Sequence, residues 1–260
     1  MKSRTIVAAV LACALTVTTA QAQTPPIMKM TTSIPPEITT PPSVETRLGT
    51  LKLFDGFPDD ETTQKVYDNL DFQRGVQTFL IGMPGVSLVA MRAGLKKLGA
   101  VNGNVLIFED RLDSKALFLT GNTDSVYFTT WLDLKNGPLV VESPPNVLAF
   151  LDDFWFKYVV DIGNAGPDKG KGGKFVVLPP GYKGEVPAGY FIARSHTYNL
   201  WLMGRGFLVD GSSKPAAESI KKNLRIYTLA QANNPPATKF TNASGVEMNT
   251  VHANDFSYFE

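Results

Sequence analysis

Cysteine and histidine are the residues that this sequence has least of. Cys13 is the only cysteine among 260 residues, and His196 and His252 are the only histidines. Because Cys13 lies in a segment that we interpret below as a removable signal, the remaining chain has no disulfide, thiolate nucleophile or cysteine-ligated metal. Two histidines are too few for a three-histidine zinc site. No G-x-S-x-G motif is present, and Ser195 and His196 would point to opposite faces of a strand, which argues against a serine hydrolase.

Charge of one sign is also lacking. The formal net charge is +1, and it becomes −1 once Lys2 and Arg4 are removed with the signal. Such a balance does not attract a nucleic acid. The glycine-rich segment 163–174 has no G-x-x-x-x-G-K-S/T frame, so we interpret it as a hairpin loop and not as a phosphate loop. The sequence therefore predicts no cofactor and no nucleic-acid partner.

The first 22 residues have the pattern of an export signal. Lys2 and Arg4 precede an apolar run, and Ala20-Gln21-Ala22 is typical of a signal-peptidase site. The run is shorter than the roughly 20 apolar residues that cross a bilayer, and an alternative, acylation at Cys13, is less compatible with an apolar run that continues past it. We predict a bacterial periplasmic or secreted protein, soluble and without a membrane span.

The remaining chain divides into three parts by composition. Residues 23–44 are rich in Pro and Thr and predict an extended linker. Residues 45–230 carry the periodic patterns of one folded domain. Residues 231–260 are polar and end in two Phe and a Tyr, an aromatic group that favours a partner surface. We expect this last part to lead to a further C-terminal domain that is missing from the sequence.

Helical spacing comes first in the folded part. An acidic start at Asp59–Glu61 and apolar residues at helical intervals predict one helix, and a second is predicted over residues 83–98 with Pro84 in its first turn. Gly99 is placed to end it. The two helices predict a helical hairpin.

Strand spacing follows from Val105. Short β-branched and aromatic runs alternate with Gly, Pro, Asn and Asp, which is typical of an antiparallel sandwich or barrel of about seven or eight strands. Asn136-Gly137 predicts a tight hairpin. A short helix is predicted from Ser213 to about Asn223, with one more strand after it. The predicted fold class is thus α+β: an N-terminal helical hairpin followed by an antiparallel β-sandwich.

The segment Leu119–Pro138 carries the strongest candidate site. Its alternate residues form a core set, Val126, Phe128, Leu132 and Leu134, and an opposite row that contains Tyr127, Trp131 and Asp133. Asn122 and Asp124 lie in the preceding loop. This row predicts a face that stacks a ring and bonds its polar edge. The alternative is that the row packs beneath the helices while Asn122 and Asp124 form an Asx turn.

Several motifs together resemble a known family. These are TRLGTLKLFDGFPDDE, GNTDSVYFTTWLDLKNGP, DFWFKYVVDIG and VVLPPGYKGEVPAGY, followed by Leu200–Arg205. Over about Thr46–Leu229 the chain resembles the N-terminal module of exported proteins catalogued as domain of unknown function 1254 (DUF1254). The resemblance implies an immunoglobulin-like β-sandwich with accompanying helices and a second, β-rich domain. Gly121 and Ser125 replace the Pro and Thr of the family's Pro-Asn-x-Asp-Thr, and the resemblance implies no reaction.

Three functional hypotheses remain. The leading one is a binding module for a small or polymeric ligand, with Asn122, Asp124, Tyr127, Trp131 and Arg205 at its site. In it, Arg205 clamps a ligand carboxylate, unless it forms an internal ion pair with Asp124 or Asp133.

The second hypothesis is a hydrolase of a sugar or ester, in which Asp124 works with Asp133 or Asp161, with or without a hard cation such as calcium or magnesium. The third is a structural domain that only docks the second domain. A dedicated metal site is not predicted.

Overall fold

The computed structural model describes residues 32–249. The predicted signal peptide and the aromatic end of the chain lie outside the described residues. The described residues separate into two compact units, one that ends at Asn69 and one that begins at Leu70. The first unit holds a 3-10 helix, Pro36–Ile38, and a three-stranded antiparallel sheet in the order β1-β2-β3, with β1 Ser43–Thr46, β2 Gly49–Phe54 and β3 Phe57–Pro58. Regular structure thus begins within the predicted linker.

One long helix, α1 Asp60–Lys97, replaces the predicted helical hairpin. Asp59 accepts a hydrogen bond from the backbone N–H of Thr62, and Gly99 adopts φ +87° just after the end, as the sequence predicted for these two boundaries. Pro84 lies inside the helix, although proline removes one backbone donor there. The neighbouring Gly85 is buried, and a Cβ at that position would come within 3.0 Å of the Trp155 ring. Close packing at the proline turn stabilises a helix that local sequence alone would have interrupted.

The helix α1 is also long and apolar enough to cross a bilayer by length and composition, and little of its most apolar segment is buried. The expectation that no segment after the signal meets this criterion is therefore wrong. Core helices of soluble proteins pass the same test. The C-terminal part of α1 does contribute to a core, since Leu88 and Leu95 are buried in it.

Two sheets form the second unit. One has six strands in the order β13-β4-β5-β11-β7-β8, and the other has four in the order β10-β9-β6-β12. The strands are β4 Asn104–Ile107, β5 Ser125–Asp133, β6 Leu139–Ser143, β7 Val147–Asp153, β8 Tyr158–Gly163, β9 Gly173–Leu178, β10 Phe191–Arg194, β11 Asn199–Phe207, β12 Arg225–Thr228 and β13 Lys239–Asn242. The helix α2 Lys214–Asn223 precedes β12, as predicted.

The α+β class is confirmed, but the topology differs from the prediction in several places. The β9–β10 and β4–β13 pairs are parallel, so the sheets are not purely antiparallel. The turn at Asn136-Gly137 carries the chain from β5 in one sheet to β6 in the other and is not a hairpin. The apolar run at residues 115–121, one of the runs that the spacing assigns to strands, instead has a 3-10 helix, Ser114–Ala116, followed by irregular backbone. The strand β13 lies in the polar part, residues 231–260, for which no strand was predicted. An immunoglobulin-like arrangement stays a prediction.

The main core lies between the two sheets. Val126, Phe128, Leu132 and Leu134 of β5 face it, as the alternation predicted, together with buried residues of β6, β9 and α2. Gly204 of β11 lies between Phe128 on β5 and Ala149 on β7, and a Cβ there would overlap the Phe128 ring. The glycine allows this aromatic ring to cross the neighbouring strand.

Replacing Gly204 should therefore destabilise the protein by overpacking. We expect Gly204→Ala to lower the free energy of unfolding by about 2 kcal/mol, since neither Phe128 nor Ala149 has room to move. Urea denaturation measures the change. The matched control is Gly75→Ala in α1, where a Cβ meets nothing within 4 Å. That exposed helical position should gain about 0.5–1 kcal/mol from the lower entropy of alanine. Equal effects of the two substitutions would contradict this account of the core.

Candidate functional site

The candidate site lies on the outer face of β5, β11, β7 and β8, which is the side turned away from the main core. The register places Tyr127 opposite Arg205, and Arg205 opposite Leu148. One step along the same face, Phe150 lies between Met203 and Asp161. Because side chains opposite each other on one face of a sheet are neighbours, these residues form one continuous surface. The surface combines the charged residues Arg205 and Asp161 with apolar side chains such as Leu148, Phe150 and Met203.

Aromatic rings gather around Trp201 on this face. Trp131 and Phe156 stack at centroid distances of 6.5 and 6.0 Å, and Phe150 meets Trp201 edge-on at 5.4 Å and 82°. The indole Nε1 of Trp201 donates to Thr129 Oγ1 over 2.8 Å. Both the packing and this hydrogen bond fix the ring, so Trp201 is a rigid apolar floor.

The turn between β7 and β8 supplies the outer aromatic wall. Its sequence is DFWF, Asp153 to Phe156, and the buried Asp153 Oδ1 accepts from the backbone N–H groups of Trp155 and Lys157 at 2.8 and 3.1 Å. Phe156 is held at φ +58°, a conformation rare for a bulky residue. The turn directs Phe156 toward Trp201 and Trp155 toward Gly85 of α1.

Two adjoining cavities follow this surface, and we call them together the aromatic groove. The first has a volume of about 430 Å³ and extends over the strands, and the second, about 500 Å³, continues toward α1. They share the residues Phe118, Thr120, Phe156 and Trp201. Apolar side chains from α1, including Met83 and Met91, complete the second cavity. These sizes and this lining are typical of small-molecule sites.

Two charged residues line the first cavity without pairing. Arg205 and Asp161 are both half-buried, and within residues 32–249 neither forms a salt bridge. The predicted alternative of an ion pair between Arg205 and Asp124 or Asp133 is therefore not formed. Both charges remain available to a ligand.

A second carboxylate lies near Asp161. Asp152 faces Trp201 across the β7–β11 pair. Burial, together with the negative charges of Asp153 and Asp161, raises the pKa of Asp152 to about 6. The β8 end of the outer face is thus a region of negative potential beside aromatic rings.

The structure brings some predicted site residues to the groove and keeps others away. Tyr127 and Arg205 line it. Trp131 is only 2% exposed and lies behind Trp201, so its interpretation as a ligand-stacking ring is corrected. Asn122 Oδ1 accepts from the N–H of Asp124 and from Ser125 Oγ, which is the Asx turn that the alternative interpretation described.

The loop still contributes indirectly to the groove. The backbone N–H of Asn122 donates to the Tyr127 hydroxyl over 3.2 Å and so positions that ring. Asp124 itself is exposed and does not line the groove. The loop therefore positions the Tyr127 ring without lining the groove itself.

The proposed carboxylate pairs do not come together. Asp124 and Asp133 lie at opposite ends of β5, about 30 Å apart at roughly 3.3 Å per residue. Asp161 lies on β8, three strands from β5, so about 20 Å separates its backbone from either of them at a strand spacing of roughly 4.8 Å. A paired-carboxylate mechanism needs carboxyl groups within roughly 10 Å. The interpretation of Asp124, Asp133 and Asp161 as catalytic partners is therefore wrong.

Metal ligands are not clustered either. Within residues 32–249, no group of three or more His, Cys, Asp or Glu side chains is placed to hold a metal ion. A hard cation held by Asp124 with Asp133 or Asp161 is accordingly not supported by the geometry.

Sequence reasoning missed most of the apolar lining. Phe150 belongs to the segment VLAFLDD, which alternates in burial along β7 but was not recognised as a strand. Phe118 and Phe156 lie in irregular segments where no period applies. The one available signal was the density of aromatics in DFWF, since three rings in a four-residue turn need a surface to pack against.

Comparison with known proteins agrees with the resemblance in the sequence. Residues 103–228 match the model of the family DUF1254, a protein family of unknown function. This match is consistent with a member of the DUF1254 family. The match is narrower than the Thr46–Leu229 span suggested by the motifs, and it excludes α1.

The VPA0106 protein from Vibrio parahaemolyticus is among the solved structures that are similar to this chain. It is 25% identical, with a TM-score of 0.39, over 46% of this chain and 32% of that one. This chain thus matches about a third of that protein's length. No curated protein matches the chain at a significant level.

The raised pKa of Asp152 predicts a pH-dependent stability. The folded state holds the Asp152 proton more tightly than the unfolded state does. The contribution of this proton to the free energy of unfolding is therefore fully present below about pH 4 and is lost as the pH rises through about 6. Asp152→Asn should remove the penalty. After allowance for solvent screening we expect it to add about 1 kcal/mol at pH 7 and almost nothing at pH 4.

Urea denaturation of both proteins at several pH values measures this difference. Asp110→Asn, at an exposed position outside the groove, is the comparison variant that also removes one carboxylate. A gain from Asp152→Asn that is the same at pH 4 and pH 7 would contradict the assignment.

Proposed function

We propose that this protein is an exported binding module that takes a small ligand with an apolar body into the aromatic groove. The observation that carries the proposal is a pair of adjoining cavities of about 430 and 500 Å³, floored by the fixed Trp201 ring and bordered by two unpaired charges. Apolar lining with a few polar groups at the edge is the usual composition of a ligand site.

The choice between a small and a polymeric ligand follows from the shape of the groove. The two cavities have limited volumes, about 430 and 500 Å³, and Phe118 and Phe156 line both of them. A compact ligand buries most of its surface in such a space, whereas a chain needs an open path at both ends. A small ligand therefore suits the groove better than a polymer.

A hydrolase function has less support. The carboxylates that sequence reasoning offered are about 20 to 30 Å apart by strand geometry. The ligand-binding role, in contrast, retains two of its predicted residues, Tyr127 and Arg205, in the lining.

The fold and location belong to the same proposal. One core contains buried residues from both sheets of the second unit, which supports a sandwich of the immunoglobulin-like kind. The basic start and the Ala20-x-Ala22 site support export to the periplasm or beyond. The expected partner of the module is a second, C-terminal domain of the same protein.

Filling the groove tests the binding function. A neutral apolar dye, 1-N-phenylnaphthylamine, should bind the purified protein saturably, with a rise in its fluorescence. Leu148→Trp adds bulk to the half-buried floor of the first cavity, and should weaken the dye about tenfold or more. The control is Ile192→Trp, at an exposed position on β10 of the other sheet. Circular dichroism verifies that both variants fold. No saturable binding, or equal binding by the wild type and Leu148→Trp, would refute the proposal.

Export is tested separately. Expression of the whole chain in a bacterium should give a periplasmic product that begins at Gln23, because cleavage is expected after Ala22. Intact mass and N-terminal sequencing identify the product. Replacing Ala20 and Ala22 with Asp should leave the precursor uncleaved, and cleavage at the same position despite this change would contradict the assignment.

A further inference from the structure

The two charged residues of the aromatic groove lie on different strands of the sheet. Arg205 is on β11 and faces Leu148 on β7, which in turn faces Gly163 on β8. Asp161 lies two residues before Gly163 on the same face. Two strand spacings and one two-residue step place the Cα atoms of Arg205 and Asp161 about 12 Å apart. Both side chains line the first cavity, and no salt bridge joins them within residues 32–249.

The space between the charges is apolar. Leu148, Phe150 and Met203 line the cavity between them, and Trp201 continues the surface toward α1. A half-buried charge without a partner loses hydration and gains nothing in return. A ligand that carries both charges restores both interactions at once, and its apolar part covers the surface between and beyond them.

Single charges fit the groove less well. A simple carboxylate would pair with Arg205 but would lie near the carboxylates of Asp161 and Asp152, which already repel each other. A simple amine would pair with Asp161 but would meet the guanidinium of Arg205. A molecule with a positive and a negative group satisfies both ends of the cavity.

We propose that the ligand is a zwitterion with a large apolar side chain, of the class of the aromatic and branched α-amino acids. Its carboxylate pairs with Arg205 and its ammonium with Asp161, while its side chain lies on Trp201 and Phe156. The Tyr127 hydroxyl accepts from the N–H of Asn122, so its own proton points to an acceptor elsewhere, and the ligand carboxylate provides one. This inference rests on the proposed binding function and adds the class of ligand.

Three probes that differ only in charge test it. Isothermal titration calorimetry with the purified wild-type protein compares L-phenylalanine, 2-phenylethylamine and 3-phenylpropionate, which share one ring and differ in the charged groups. L-Phenylalanine should bind about tenfold tighter than either of the others, because only it pairs with both residues. Equal affinities for the three probes would overturn the inference.

Two substitutions assign the two contacts. Arg205→Gln should remove the advantage of L-phenylalanine over 2-phenylethylamine, and Asp161→Asn should remove its advantage over 3-phenylpropionate. Arg205→Lys keeps the charge but loses the planar fork, so it should retain part of the discrimination. Arg194→Gln, at an exposed position on β10, should change nothing. Loss of all discrimination by Arg194→Gln as well would contradict the assignment.

Failure of this inference differs from failure of the binding function. If the apolar dye binds and Leu148→Trp abolishes its binding, but L-phenylalanine binds no better than the singly charged probes, only the ligand class is wrong. If neither the dye nor any probe binds, the groove is not a ligand site and both proposals fall.

Discussion

The structure of the second unit depends on burying both faces of its six-stranded sheet. Eight of the nine residues of β5 are buried, although an antiparallel strand commonly exposes one face. One face packs against the four-stranded sheet through Val126 and Phe128. The other packs beneath the C-terminal part of α1, where Leu88 and Leu95 join Trp131 and Trp201 in a second core. The helix is therefore a structural part of the sheet's outer face.

The aromatic groove exists because this cover does not extend over all the strands. β7 alternates between buried and half-buried residues, and β8 begins exposed. Beyond the helix, the side chains of Phe150 and Phe156 continue the second core and are less covered than Trp201. Burial of an aromatic side chain is worth roughly 2 kcal/mol or more, so a partly exposed aromatic surface of this kind favours an apolar partner. The same residues thus serve the core on one side and a binding site on the other.

Periodicity predicted the parts of the fold that local sequence determines. The alternation of Val126, Phe128 and Leu132 identified the core face of β5, and Gly99 marked the end of α1. The helical hairpin was wrong because the packing of Gly85 against Trp155 stabilises a helix through Pro84, and this contact joins residues 70 positions apart. The Asn136-Gly137 turn was recognised, but a turn does not specify whether the next strand pairs with the last one or crosses to another sheet.

The candidate site was predictable only where it lay on one strand. Tyr127 could be placed on the outer face from β5 alone, whereas its neighbour Arg205 depends on the pairing of β5 with β11, which local patterns do not encode. Trp131 points to the same face of β5 as Tyr127 but lies under α1. The alternation of side chains along the strand therefore predicted which face Trp131 is on, but not that it is buried there. The predicted pairing of carboxylates was wrong for a related reason. Asp124 and Asp133 are close in sequence, but the extended strand β5 places them at its opposite ends.

The strand register also sets the spacing of the two charged residues of the groove. Backbone pairing fixes Arg205 opposite Leu148 and Asp161 opposite Phe150, so their Cα atoms stay about 12 Å apart. Holding unpaired charges beside aromatic rings costs stability, and the raised pKa of Asp152 reflects the same unfavourable surroundings for a carboxylate. Features that lower the stability of a fold without helping its packing are expected at functional sites. The separation of Arg205 from Asp161 is therefore better explained by what binds between them than by anything the fold gains from it.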